Sequence, residues 1–135
     1  MPAIYEHRHE VVAAEIDELE HVGNVHYLSW LLAASTAHSS AQGWPWQRYR
    51  ELGGAFVVRR HELDYLRSAV LGDRVIVRTW VSAIARASSI RSYVIVRGDE
   101  VLMRAKTTWA FIDLARGTPI RIPPELVAAF ELVPD

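Results

Sequence analysis

The chain has 135 residues, 15 Lys and Arg against 16 Asp and Glu, a formal net charge of −1 and no cysteine. That length suits one domain, residues 1–135, with a real core, and is too short for two ordinary domains. The balanced charge offers no basic excess for nucleic acid or an anionic membrane. The missing cysteine excludes disulfides, thiol catalysis and cysteine-held metal.

The opening MPAIYEHRHE is charged and has no apolar core, so no signal peptide is expected and a cytosolic protein is the default. Ile4 to Ala14 reads as a first strand, with His7 and His9 two apart on one face. An acid-rich turn follows, with Glu15, Asp17, Glu18, Glu20 and His21, and it ends at Gly23 and Asn24. Val25 to Ala41 is almost free of charge and apolar on most sides, which predicts a buried central helix with Asn24 as its N-cap. His26, Ser29, Ser35, Thr36, His38, Ser39 and Ser40 make this run too polar for lipid, and no membrane span is expected. Gly43 and Pro45 stop the helix. Gly43 to Gly54 reads as a loop with a short helical turn.

Four strands follow. They run Ala55 to Leu66, Arg74 to Ala83, Ile90 to Arg97 and Val101 to Leu114. Val75, Val77, Thr79 and Val81 alternate onto one face, as do Val101, Met103, Ala105, Thr107, Trp109 and Phe111. Gly98-Asp99 predicts a tight hairpin. Pro123-Pro124 opens a short terminal helix over Glu125 to Phe130. This order predicts an α+β fold in which an antiparallel sheet wraps one long helix. Arg78, Arg91, Arg97, Arg104 and Lys106 are expected on the outer sheet face, either simply solvated or holding the phosphates of a nucleotide-tailed ligand.

The six histidines form no HExxH or similar ligand set, so no metal is expected. There is no GxSxG and no Gly-rich phosphate loop. The acids before the helix are more informative. A helix N-terminus presents free N–H groups and partial positive charge, which suits a carbonyl oxygen turning negative in acyl transfer. An adjacent carboxylate can attack that carbonyl or take a proton from water. Glu15 and Asp17 share a side if the strand continues that far. Read as residues alone, the same acids could simply favour the helix dipole.

Asp17, His21, Val22, Asn24 and Tyr27 stand in the stretch E-I-D-E-L-E-H-V-G-N-V-H-Y. Between a strand and a long helix, it resembles the D-x-D-x-x-G-H-V-x-N-x-x-Y pattern of hot-dog acyl-CoA thioesterases in the 4-hydroxybenzoyl-CoA thioesterase-like superfamily. The Val57-Val58-Arg59-Arg60-His61 strand, the Ser68-Ala69-Val70-Leu71-Gly72-Asp73 connection and the Arg104-Ala105-Lys106-Thr107-Thr108-Trp109 strand extend the resemblance over nearly the whole chain. Two positions depart from it. Glu20 stands for the usual glycine, and Glu15 stands where many members carry aspartate. Val22-Gly23-Asn24-Val25 with Tyr27 is also similar to hot-dog thioesterases of enediyne polyketide pathways, which lack the acid that Asp17 supplies here.

The resemblance implies a hot-dog fold and hydrolysis of an acyl-CoA, without metal or cofactor. It implies Asp17 as nucleophile or general base, with His21, Asn24 and Tyr27 lining or orienting the site. Backbone N–H groups from Val22 through Gly23 to Val25 would polarise the thioester carbonyl. Arg59, Arg60 and Arg91, as surface cations, would hold coenzyme A phosphates, at a neighbouring subunit's site in a homodimer or homotetramer. The competing readings are a thioesterase acting on an acyl carrier protein and a non-catalytic acyl-binding protein of the same fold.

Overall fold

The structure, a computed structural model, describes residues 3–135. Strand β1 (Tyr5–Glu10) leads through a 3-10 turn (Ala13–Glu15) to helix α1 (Asn24–Ala41) and short helix α2 (Trp46–Leu52). Strands β2 (Gly54–Tyr65), β3 (Arg74–Ile84), β4 (Ser88–Arg97) and β5 (Glu100–Asp113) follow, and helix α3 (Pro124–Ala128) comes last. All five strands form one antiparallel sheet in the order β1-β3-β4-β5-β2. β2 and β3 are consecutive in sequence yet lie apart, because β5 returns beside β2. β2 is therefore an edge strand.

The period-two pattern works as expected in β3, where Val75, Val77, Thr79 and Val81 are buried and alternate with half-exposed neighbours. In β4 the inward phase is Ser89, Arg91, Tyr93 and Ile95. Arg91 pairs with Val81 on one side and Thr107 on the other, both buried, so it points into the protein. This corrects its expected place on the outer face. The alternation through Ser89, Tyr93 and Ile95 decides its side, and it overrides the usual preference of a guanidinium for solvent. Of the rest, Arg78 pairs with Glu6, Arg97 with Asp73 and Glu100, and Lys106 with Asp135. An outer face neutralised in this way has few cations left for phosphates.

Helix α1 buries a single stripe, Tyr27, Trp30, Leu31, Ala34 and His38, against the sheet. Val25 is 72% exposed, and Ser29, Ala33, Thr36 and Ser40 are open to solvent, so the helix is half-buried rather than buried all round. No helix among the described residues is long and apolar enough to cross a membrane. The main core joins this stripe to Val75, Val77, Tyr93, Ile95, Leu102 and Met103. Burying side chains of this size contributes roughly 1.5–3 kcal/mol each. A second cluster, Trp44, Tyr49, Phe111, Ile122 and Leu126, fastens α2 and α3 to the sheet.

Gly54 starts β2 against Phe111, and a Cβ there would stand 2.7 Å from the Phe111 ring. Gly54→Ala must therefore displace a fully buried ring, and is expected to destabilise the fold by about 1–3 kcal/mol in denaturant titration.

Candidate active site

The first strand stops at Glu10, short of the expected Ala14, so Glu15 and Asp17 do not lie on one extended segment. After the 3-10 turn, Ile16 and Val22 form an isolated antiparallel bridge. The residues between them make a tight turn: Asp17 N–H donates to the His21 carbonyl at 2.8 Å, and Glu20 N–H donates to the Asp17 carbonyl at 3.0 Å. Asp17 Oδ1 accepts the Leu19 N–H at 2.9 Å, which fixes the carboxylate. Its second oxygen has no hydrogen bond among the described residues, and the side chain is exposed.

The turn closes with Glu20 at φ +64°, the left-handed conformation that glycine adopts without cost. This is where Glu20 replaces the glycine of the resembled pattern. The chain keeps the turn geometry and bears the strain. Glu20→Gly should relieve it, raising stability by about 0.5–1 kcal/mol after the added flexibility of the unfolded chain is subtracted. A thermal melt of the two proteins reads the difference.

Glu15 has a different task. Its carboxylate accepts from the Trp30 indole at 2.7 Å and the Val12 N–H at 3.0 Å, and meets His9 Nε2 at 2.8 Å. It ties β1, the 3-10 turn and α1 together and does not face the cleft. Burial pushes its pKa up, but the three hydrogen bonds outweigh burial, and the group sits below its ordinary 4.5. The unfolded chain therefore binds this proton more readily than the folded one. The stabilisation is complete above the ordinary value and is lost as pH falls through the lower folded value. Wild type should exceed Glu15→Gln in stability by about 1–2 kcal/mol at neutral pH. Chemical denaturation across an acid series should show that gap shrinking below pH 4.5.

Helix α1 begins directly behind the turn. Gly23, not Asn24, is its N-cap, and no side chain caps it. Val22 N–H already donates to the Ala69 carbonyl at 3.0 Å and Gly23 N–H to the Glu15 carbonyl at 2.9 Å. Both are thus removed from the expected set of carbonyl-polarising donors. The N–H groups of Asn24 and Val25 have no partner among the described residues, as the first turn of a helix requires. Asp17 and Asn24 line one cleft at the positive end of α1.

Asp17, His21, Val22, Asn24 and Tyr27 line one surface cleft of about 240 Å³, with Tyr65, Arg67 and Ser68 on its far wall. Tyr27 is buried, and its hydroxyl accepts the Ala69 N–H at 2.8 Å, so it holds the wall in place. Tyr65 donates to the Asn24 carbonyl at 3.3 Å, and burial with the neighbouring Tyr27 pushes its pKa up. The far wall was not foreseen as site residues. It runs from the end of β2 into the Ser68–Asp73 connection, whose Asp73 accepts the Val70 N–H at 2.9 Å and an Arg97 N–H at 2.6 Å. Gly72 precedes it at φ +84°.

Arg59 and Arg60 are exposed on the β2 edge, outside this cleft, and Arg60 pairs with Glu62 at 2.8 Å. Arg91 is 5% exposed and lies in a separate pocket. The expected surface role in holding phosphates does not fit a buried side chain. His61 turns inward, with Nδ1 2.8 Å from Thr107 Oγ1, and burial lowers its pKa.

A family model described as the thioesterase-like superfamily matches residues 11–130. The chain belongs to this superfamily. The match contains the turn, α1, the far wall of the cleft and all of the sheet except β1. Among curated proteins, an acyl-CoA thioesterase named YbgC from Haemophilus influenzae is 34% identical over 76 residues, which is 56% of this chain and 56% of that protein. The similarity to this relative thus spans little more than half of either chain.

Among solved structures, the probable thioesterase YbaW from Escherichia coli is 26% identical, with a TM-score of 0.81 over 93% of this chain and 95% of that one. A 1,4-dihydroxy-2-naphthoyl-CoA thioesterase from Synechocystis has a TM-score of 0.85 over 93% of this chain and 94% of that one, at 20% identity. The α+β hot-dog arrangement expected from the sequence is the fold of this superfamily member.

Proposed function

We infer that the protein is an acyl-CoA thioesterase that hydrolyses R–CO–S–CoA to the free acid and CoA. One observation carries this reading: the exposed Asp17 carboxylate lines the same cleft as Asn24, whose N–H at the start of α1 has no partner among the described residues. The YbgC similarity supports the same reaction class.

The chemistry follows from those groups. The carbonyl oxygen of the thioester sits against the Asn24 and Val25 N–H groups, which stabilise it as charge develops. Asp17 either takes a proton from a water that attacks the carbonyl carbon, or attacks that carbon itself to give an anhydride that water then opens. In both routes the C–S bond breaks, the sulfur leaves as thiolate, and the acid product takes the hydroxyl of water. His21 and Tyr27 line the cleft that holds the reacting group.

The acting species is inferred to be a cytoplasmic homo-oligomer built on a dimer. β2 is an edge strand with a free row of backbone groups, and Val57 and Val58 are 39% and 41% exposed on it. The half-open flank of α1 adds Leu28 and Leu32, both only partly covered. Pairing β2 with the same strand of a second copy would cover these groups and carry Arg59 and Arg60 toward the neighbour's cleft, where coenzyme A phosphates would meet them.

The test is release of free thiol from a panel of short, long and aryl acyl-CoAs. Turnover on at least one member is expected. Absence of thiol release on every member, by protein shown to be folded, would remove the assignment.

A further inference from the structure

The strongest unexplained feature lies at the other end of α1. A pocket of about 180 Å³ opens between the C-terminal half of α1, α2 and the inner face of the sheet. Its walls are aromatic, with Trp44, Tyr49, Phe56, Trp109 and Phe130, and its mouth is marked by the exposed Thr36 and Trp46. A cavity of about 150 Å³ takes a benzene ring, so the size suits one ring or a short chain. From Asn24 to Ser35 along α1 the rise is about 16 Å, which separates this pocket from the Asp17 cleft within one chain.

Arg91 lines this pocket. It is 5% exposed, and its Nη1 donates to His38 Nδ1 at 2.9 Å and to Thr79 Oγ1 at 3.1 Å. Its guanidinium carbon lies 5.7 Å from the Phe130 ring centre. None of these partners is a carboxylate. No carboxylate among the described residues pairs with Arg91, and its Nε and Nη2 carry no hydrogen bond there. Burial works against its charge and lowers its pKa. A buried cation without a counter-ion is costly, and buried charges in proteins are normally paired. The fork of a guanidinium matches a carboxylate in particular. Ser35, Ser39 and Ser89 hydroxyls line the same pocket and add polar groups beside the fork. A phosphate monoester fits poorly here: one cation among aromatic walls would face a group of higher charge.

We propose that this pocket binds an organic carboxylate with a short or single-ring apolar body, its carboxylate on the Arg91 guanidinium and its body among Trp44, Phe56 and Trp109. Such a group has two sources. It can be a free carboxylic acid, or it can be the far end of a dicarboxylic acyl group whose thioester reacts at the Asp17 cleft of a neighbouring copy. The second source rests on the thioesterase reading. The binding itself does not.

Calorimetric titration with benzoate and with benzamide, and with hexanoate and hexanamide, tests the pocket directly. Wild type is expected to bind a carboxylate at least tenfold more tightly than its amide. Arg91→Met should erase that preference. Thr36→Trp changes an exposed helix position at the mouth, and should weaken both ligands by obstruction while the fold stays intact by circular dichroism. It keeps the test decisive if Arg91→Met unfolds. Equal binding of acid and amide, no binding of either acid at millimolar concentration, or carboxylate binding that survives the substitutions would overturn the proposal.

A kinetic arm separates the sources. If the carboxylate is the far end of the substrate, Arg91→Met should raise KM for a dicarboxylic monoacyl-CoA at least tenfold and leave a neutral acyl-CoA of equal length unchanged. If the ligand is a free acid, neither KM moves. Carboxylate binding by a protein that releases no thiol from any acyl-CoA would remove the thioesterase reading and leave this one standing.

Discussion

Asp17→Asn is expected to lower kcat/KM for acyl-CoA hydrolysis at least about a hundredfold, the lower end of what a positioned acid or base contributes. That factor corresponds to about 2.7 kcal/mol of transition-state stabilisation. The substitution isolates chemistry from structure. Asp17 is exposed, and its only side-chain bond among the described residues is the one its Oδ1 accepts from the Leu19 N–H. Asparagine keeps that oxygen and so keeps the turn, while losing the charge that attacks the carbonyl or accepts a proton. Melting temperature should therefore stay close to wild type while thiol release collapses. Asp17→Ala should lose the same activity and some stability of the turn. Glu15→Gln is the useful contrast, because Glu15 holds His9, Trp30 and Val12 and faces away from the cleft. It should cost stability and leave most of the rate. Full activity in Asp17→Asn, or a collapse in Glu15→Gln at unchanged stability, would move the reacting carboxylate away from Asp17.

Much of this fold could be read from periodicity. The alternation through Val75, Val77, Thr79 and Val81 needs only a pleated strand with one buried face, and it gave the right face for β3. The long uncharged run of α1 and its stop at Gly43 were equally legible, since both follow from local chemistry. Three features were not, and each depends on something outside a short window. Arg91 is hidden by residue type, since a guanidinium is rarely buried, although its spacing from Tyr93 and Ile95 puts it in the inward phase. The N-cap moved from Asn24 to Gly23 because the Ile16–Val22 bridge sets the direction in which the chain enters the helix. The split between Glu15 and Asp17 came from the 3-10 turn, which rotates one acid toward Trp30 and leaves the other at the cleft. Spacing in sequence brought the two together, and only three-dimensional packing separates them. The far wall of the cleft shows the same limit. Tyr65 and Ser68 reach Asp17 across about fifty residues of chain, a distance no local pattern carries.

Substituting Val57→Lys and Val58→Lys together is expected to give a monomer. The argument rests on the edge. β2 has 12 residues, about 40 Å of strand, and one side of it pairs with β5 along its length except at Arg59, while the other has no strand of the described residues beside it. Natural sheets protect such an edge with charge, bulges or a covering element. Here a register shift between Val58 and Arg60 and the two arginines supply part of that protection, but Val57 and Val58 keep an apolar stretch open. If a second copy covers it, two lysines from each chain would meet across the two-fold axis, and their repulsion and desolvation oppose pairing. Light scattering should then report 15.3 kDa where wild type reports at least twice that mass. The double variant should remain folded, since both valines are already about two-fifths exposed in a single chain. Its activity should fall at least about tenfold, because the neighbour's Arg59 and Arg60 would no longer reach the cleft that holds Asp17. A wild type that is monomeric and active would remove the dimer. A monomeric variant with full activity would keep the dimer but make each cleft complete on its own, and the arginines of β2 would then have no part in holding the substrate.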